Sequence, residues 1–408
     1  MTRQPWTVWV LPGCLAITLA AHAQIDTEKR RLFQLGYNQP LQGRGPISGY
    51  AFYYLNEPGF QRTNLTLRLA IAPVYLDSEL GIGQALSPRT DLAIGLSGGG
   101  FADGYSEVRG GKYLRGESFN GNGGEVNASI YHRFNPDQQI PLSGVFRAAA
   151  HFTAYDEDDR TDPAFVIPDD RTSFHLRTGL RWGGREPSIS PSVAMEVSVW
   201  YEGQYRLDPE TYGFANDRAI EELTHQFWAR GLLIYTLPES GHNFQIGLTA
   251  GTSVNPDRLS AYRIGGALPL SAEFPLTIPG YYYQELSARS FVLLNGQYAL
   301  PLDKAHQWGL MASGSCASVD YLDGLDQPGN LHSGVGAGLT FRSKNDAWKL
   351  ILGYAYGIDA IRSHGRGAHS VGILIQYDLE ADRRTRKPFW DPWLDPLKWR
   401  GFDRLFGR

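Results

Sequence analysis

The sequence predicts an all-β chain, a transmembrane antiparallel up-and-down β-barrel of about fourteen strands, with sixteen as the upper count. Three observations predict it. The segment 331–342 reads LHSGVGAGLTFR and puts Leu331, Val335, Ala337, Leu339 and Phe341 on one strand face. Its other face carries His332, Gly334, Gly336, Gly338, Thr340 and Arg342. The same polarity recurs in nearly every alternating segment, and no helical layer is on offer to cover the oily face, so lipid is its partner. The third observation is composition. The 408 residues include 47 Gly, 22 Tyr, 19 Phe and 10 Trp, yet mean hydropathy is −0.31. No apolar run reaches the roughly 18 residues of a transmembrane helix after the N-terminus, whereas inward-facing residues dilute a barrel's hydropathy in just this way.

Along the chain, residues 1–23 read as a secretory signal peptide. Arg3 supplies the positive start, Trp6 to Ala20 the apolar stretch, and Ala21-His22-Ala23 the small-x-small cleavage site. Cleavage there leaves Cys316 as the single cysteine, so no intrachain disulfide forms. Residues 24–46 are expected to be a periplasmic segment too short for a folded domain, and 47–380 the barrel. Strands are expected at 49–55, 63–76, 90–100, 124–134, 143–155, 172–183, 192–204 and 224–236. Six more follow at 242–253, 288–300, 307–319, 331–342, 347–358 and 368–379. Connectors alternate between short (periplasmic turns) and long (extracellular loops), with 77–88 too long for its place. The tail 381–408 spaces Pro388, Pro392 and Pro396 among Phe389, Trp390, Trp393 and Trp399 after Arg383, Arg384, Arg386 and Lys387. It is expected to lie along the periplasmic lipid surface.

The two faces assign themselves. Phe174, Leu176, Leu180, Trp182, Val197 and Val199 point outward, toward outer-membrane lipid and lipopolysaccharide. The lumen face is expected to carry Arg68, Arg147, Arg177, Arg181, Glu196, Glu202, Arg230, Arg289, Arg342 and Lys349. A charge at the bilayer midplane costs about 2–4 kcal/mol on the lipid side of a barrel, so these registers cannot be reversed. A cationic lumen favours anions.

In the last third, Tyr262-Arg263-Ile264-Gly265-Gly266 leads through Pro279-Gly280-Tyr281 to 287–295 (SARSFVLLN), then Tyr298-Ala299-Leu300-Pro301-Leu302, 333–339 (SGVGAGL) and Gly353-Tyr354-Ala355-Tyr356. Over roughly 255–380 this order resembles the barrel end of the bacterial surface-antigen superfamily, the outer-membrane assembly and two-partner-secretion barrels. The resemblance implies a long loop folded into the lumen after the glycine pair, with five strands following, as here. It makes Arg263, Gly265 and Gly266 the candidate loop anchor. The family's Arg-Gly-aromatic anchor is absent between Gly265 and Glu285, and the stretch Leu268 to Phe274 stands in its place. Ser370, Gly372, Ile375 and Tyr377 resemble the sorting signal read by the barrel-insertion machinery during biogenesis.

No histidine pair has ligand-like spacing and no acidic loop has a calcium-site pattern, so neither metal nor cofactor is expected. A net charge of −4 argues against nucleic acid. No nucleophile–base pair stands out, so no enzyme is expected, an outer-membrane lipid hydrolase being the enzymatic alternative. Two functions remain in front: passive passage of small polar or anionic solutes, or a structural barrel plugged by the loop 254–287. The alternative is a reduced protein-translocation or assembly barrel working with a separate periplasmic partner.

Overall fold

The computed structural model describes residues 28–185, 188–266, 274–363 and 365–384. They form a closed antiparallel barrel of sixteen strands. In chain order these are β1 (Arg30–Pro40), β2 (Ser48–Pro58), β3 (Leu65–Ile71), β4 (Tyr75–Ser87), β5 (Thr90–Gly99), β6 (Phe119–Arg133), β7 (Leu142–Glu157) and β8 (Arg171–Gly184). They continue with β9 (Val193–Arg206), β10 (Leu223–Thr236), β11 (Asn243–Val254), β12 (Leu286–Pro301), β13 (Trp308–Tyr321), β14 (Leu331–Arg342), β15 (Trp348–Arg362) and β16 (Gly365–Asp378). Each strand pairs with the next, and β1 closes on β16 from Leu32↔Asp378 to Pro40↔Ser370.

The expected fourteen strands are therefore sixteen, and the barrel runs from residue 30 to 378 rather than 47 to 380. One addition, β1, lies inside the segment 24–46 expected to be periplasmic. It alternates cleanly, with Phe33, Leu35 and Tyr37 exposed and Leu32, Gln34 and Asn38 buried. Three outward apolar residues are too few to stand out from one sequence. The other addition, β4, resolves the overlong connector 77–88. Its Asp77 and Glu79 resemble turn chemistry but face the lumen, where arginines meet them. The predicted signal peptide 1–23 and the tail beyond residue 384 lie outside the described residues.

The alternation places the apolar face outward. Val197, Val199, Leu233, Ile246, Val292 and Leu310 are all exposed on the barrel's outer surface. Cys316 is half-exposed on that face, with Trp308, Leu310 and Ala312. The end carrying the first residues of β1 and the last of β16 has the short turns, 59–64, 88–89, 134–141, 185–192, 237–242, 302–307 and 343–347. There α1 (Leu379–Arg383) is capped by Asp378, whose Oδ1 accepts from the Glu380 and Ala381 amides. Leu379 packs with Tyr53 and Leu55.

The other end carries the long loops, and they fold together into a dome. Tyr105, Phe119, Phe165, Tyr212 and Ile220 form its apolar core, drawn from loops 100–118, 158–170 and 207–222 and the tip of β6. Beneath them the fully buried Glu107 meets Arg258 at 2.6 Å and Arg218 at 3.7 Å. The dome is thus tied by both apolar packing and ion pairs.

A candidate gated lumen

Four groups of interior side chains can be traced from their strands. On the first wall, Arg68 of β3 lies 3.4 Å from Asp77 and 3.8 Å from Glu79 of β4. Arg147 of β7 reaches the same Glu79 at 2.9 Å, and the Tyr131 hydroxyl donates to it at 3.0 Å. Glu79 is buried, so two hydrogen-bond donors and the nearby Arg68 guanidinium compensate a charge that would otherwise be costly. Alternation in the sequence places the arginines but not their acid, which lies on β4 in the segment expected to be a connector.

On the adjoining wall, where Arg177 of β8 pairs with Arg147, Glu196 of β9 is 1% exposed. It accepts from Arg230 of β10 and from Ser198, and Arg181 of β8 stands at 3.6 Å. The three guanidiniums of Arg177, Arg181 and Arg230 lie 5.4, 5.7 and 4.4 Å from the ring of Phe274. Trp200 and Trp228 close the box with ring centroids 5.4 and 5.7 Å from it. Cation–π contacts away from water are worth on the order of 2 kcal/mol each. Phe274 belongs to the long connector 255–285, so that loop enters the lumen and its aromatic is held by wall arginines. It ends the stretch that stands where the resemblance places an Arg-Gly-aromatic tripeptide; residues 267–273 of that stretch lie outside the described residues.

The same loop is seated along β14 and β15. A Cβ on Gly334 would lie 2.2 Å from the Pro279 carbonyl oxygen, so the loop backbone presses on side-chain-free wall. Gly280, at φ +82°, approaches Gly357 as closely. Glu285 and Arg362 form a bidentate ion pair at 2.8 and 3.0 Å, with side chains 0% and 1% exposed. Tyr281 bonds His332 at 3.0 Å. The candidate anchor Arg263 lies elsewhere. It donates to the Gln284 and Ser106 carbonyls and stacks on Tyr105, joining the loop to the dome rather than to the lumen wall. Gly265 and Gly266 both take positive φ, and an isolated bridge joins Gly266 to Ile278.

The remaining lumen candidates divide. Glu202 faces inward and accepts from Gln204 at 3.1 Å. Lys349 points inward and donates to Ser188 Oγ at 3.0 Å and the Ser190 carbonyl at 3.2 Å. Arg342 keeps the lumen register but sits at the rim, paired with Asp346. Arg289 is a correction. The register of β12 against β13 shifts at this residue, a bulge that swings it to the loop-end rim, where it pairs with exposed Asp323. In the sorting-signal positions, Ser370 is buried on the inner face, while Ile375 and Tyr377 alternate with buried Leu374 and Gln376.

Lys349 and Gln376 also reveal a strap unsuspected in the sequence. The turn after β8 carries Ser188, Ser190 and Ile189, whose amide donates to Gln376 Oε1 at 3.1 Å. β8–β9 and β15–β16 lie on opposite sides of a sixteen-strand ring, so this turn crosses the terminal-end mouth. Near the dome, Asp103 accepts from His151 and Thr153. Burial works against the Asp103 carboxylate, but these two hydrogen bonds hold its pKa below the usual value. Thr153 also bonds His151 at 3.1 Å, while the Ser173 hydroxyl bonds a different imidazole, His175, stacked on His151 at 5.3 Å. Among the described residues no group of three or more His, Cys, Asp or Glu could hold a metal ion.

No family model matches the chain, and no curated protein matches it. Solved structures do. CdiB from Acinetobacter baumannii aligns over 86% of this chain and 60% of its own, with TM-score 0.54 and 11% identity. CdiB from Escherichia coli covers 86% and 63%, with TM-score 0.55 and 10% identity. BamA from Haemophilus ducreyi lacking POTRA domains 1–3 covers 86% and 70%, with TM-score 0.54 and 10% identity. The chain spans about three fifths of either CdiB. The likeness to these three barrels is one of fold.

Proposed function

We propose that this chain is an outer-membrane barrel of the protein-translocation or assembly class, held closed at rest by its inward loop and working with a separate periplasmic partner. One observation carries the reading: connector 255–285 enters the lumen and is fixed there by Phe274 among Arg177, Arg181 and Arg230. A passive pore gains nothing from a loop held by a cation–aromatic box, a buried ion pair and glycine contacts together. A gated barrel needs such a plug. The fold likeness to CdiB and BamA supports the same reading. The wall arginines are read as plug-holding groups rather than as an anion filter, and no catalytic role is assigned.

Two measurements test it. In planar bilayers the wild-type chain is expected to be silent, and Phe274→Ala to open in bursts; large steady wild-type conductance returns the passive pore. In the native host, deletion is expected to deplete particular secreted or surface proteins. If both protein profiles are unchanged and no periplasmic protein crosslinks to the terminal-end turns, the translocation and assembly reading fails.

A further inference from the structure

We infer that the barrel wall carries a lateral portal between β2 and β4, above a truncated β3, through which a membrane-borne amphiphile reaches the lumen. A transmembrane barrel strand needs about 9–11 residues, and β3 has 7. Its pairing with β2 ends at Tyr53↔Ile71, and the chain turns back at 72–74. Among the described residues, Ser48 to Phe52 therefore has β1 on one side and no strand on the other. By contrast, the seam between the terminal strands is paired over nine positions. The weakest join in the wall is β2–β3.

The gap opens onto a cavity of about 970 Å³. Gly49 and Ala51 pair with outward Tyr37 and Leu35, yet they line this cavity together with inward Tyr50 and Phe52. With no strand beside Ser48 to Phe52, both faces of this stretch of β2 are open to the cavity. The dome around Tyr105 and Phe165 folds over one end of the barrel, and the strap bearing Ile189 lines the cavity toward the other. The gap is a further route, through the wall itself.

The polarity of this route identifies the occupant's chemistry. At the rim stand Ile47, Val74 and Phe101, 88%, 53% and 61% exposed. Deeper in, the cavity meets Arg68, Asp77 and Glu125. A molecule that matches has an alkyl part in the bilayer and a polar, hydrogen-bonding head within. Such a head also supplies partners to the β2 backbone groups, which hydrocarbon alone leaves unsatisfied at cost. A peptide strand added to β2 would meet that need too, but the five-residue edge with Gly49 and Ala51 offers it no side-chain pocket.

The inference rests on the membrane-barrel reading, so the test separates the two. The full chain, in a Cys14→Ala/Cys316→Ala background, carries one fluorophore-labelled cysteine at a time: Phe52→Cys inward beside the gap, Gln245→Cys inward on the far wall, and Leu248→Cys facing outward. Each is folded into phosphatidylcholine vesicles with brominated acyl chains. Quenching at position 52 is expected to approach that at 248, with none at 245. It is lost when Ala72→Trp, or Val74→Trp if the first does not fold, fills the gap. Position 52 behaving like 245 overturns the portal, and unfilled quenching in the tryptophan variants overturns its location. Failure of all variants to show heat-modifiable barrel migration sinks the membrane-barrel reading instead. A benzophenone at Ala51 in native membranes is expected to capture lipid; capture of protein alone replaces the amphiphile with a docking strand.

Discussion

Glu285→Ala is expected to release the long loop and to destabilise the barrel by about 3–5 kcal/mol, the loss found when one partner of a buried ion pair is removed. The carboxylate is fully buried, receives both arms of Arg362, and also accepts from the Tyr282 amide at 2.7 Å. Alanine leaves the Arg362 guanidinium desolvated against Tyr282, over whose ring it lies at 3.6 Å. Most of the loss comes from that stranded cation, not from the pair's net worth. The double variant Glu285→Leu/Arg362→Met should accordingly recover most of the stability, since an apolar replacement removes both desolvation penalties. The readouts are the thermal transition in detergent and protease cleavage between residues 266 and 280. Wild-type melting with an uncleaved loop in Glu285→Ala would exclude this pair as the loop's main tether.

The ion pair also marks how far the sequence could be read. Alternation at β14 fixes face and register because successive strand residues must point opposite ways, and the glycine-free side could only face lipid. The same logic placed Arg68, Arg147, Arg177, Arg181 and Arg230 inside. It failed at Arg289, because a bulge inserts one residue and local periodicity cannot reveal where. It failed at β1 and β4 for a different reason. Their inward faces are polar or acidic and their outward faces short, so the hydrophobic signal stays below that of neighbouring strands. Partners are harder still. Glu285 and Arg362 are 77 residues apart, and Lys349 meets a strap 161 residues earlier. Nothing local encodes such pairings; closure of the ring creates them. Phe274 is the intermediate case, since the sequence placed it where an anchor was wanted but not against which wall.

Gly334→Val is expected to have the second large effect, and it tests the loop's seat from the wall side. Gly334 was legible as side-chain-free lumen wall, and the structure shows what fills it. A Cβ there would stand 2.2 Å from the Pro279 oxygen and 3.2 Å from the Ile278 side chain. The nearest obstacle is backbone, so no rotamer change relieves it and the loop must lift. Overpacking of this kind costs about 1–3 kcal/mol, and part of it should appear as an opened lumen rather than as lost barrel stability. Gly280→Ala approaches the same contact from the loop side, with its Cβ 1.9 Å from the Gly357 amide nitrogen and a φ of +82° that disfavours alanine independently. Gly353→Ala is the matched control, because the nearest atom to its Cβ is 3.8 Å away. Single-channel recording should therefore show conductance for Gly334→Val and Gly280→Ala, and silence for Gly353→Ala. Silence in all three, with the barrel folded, means the lumen stays closed without this loop. The plug would then have to be the dome and the strap.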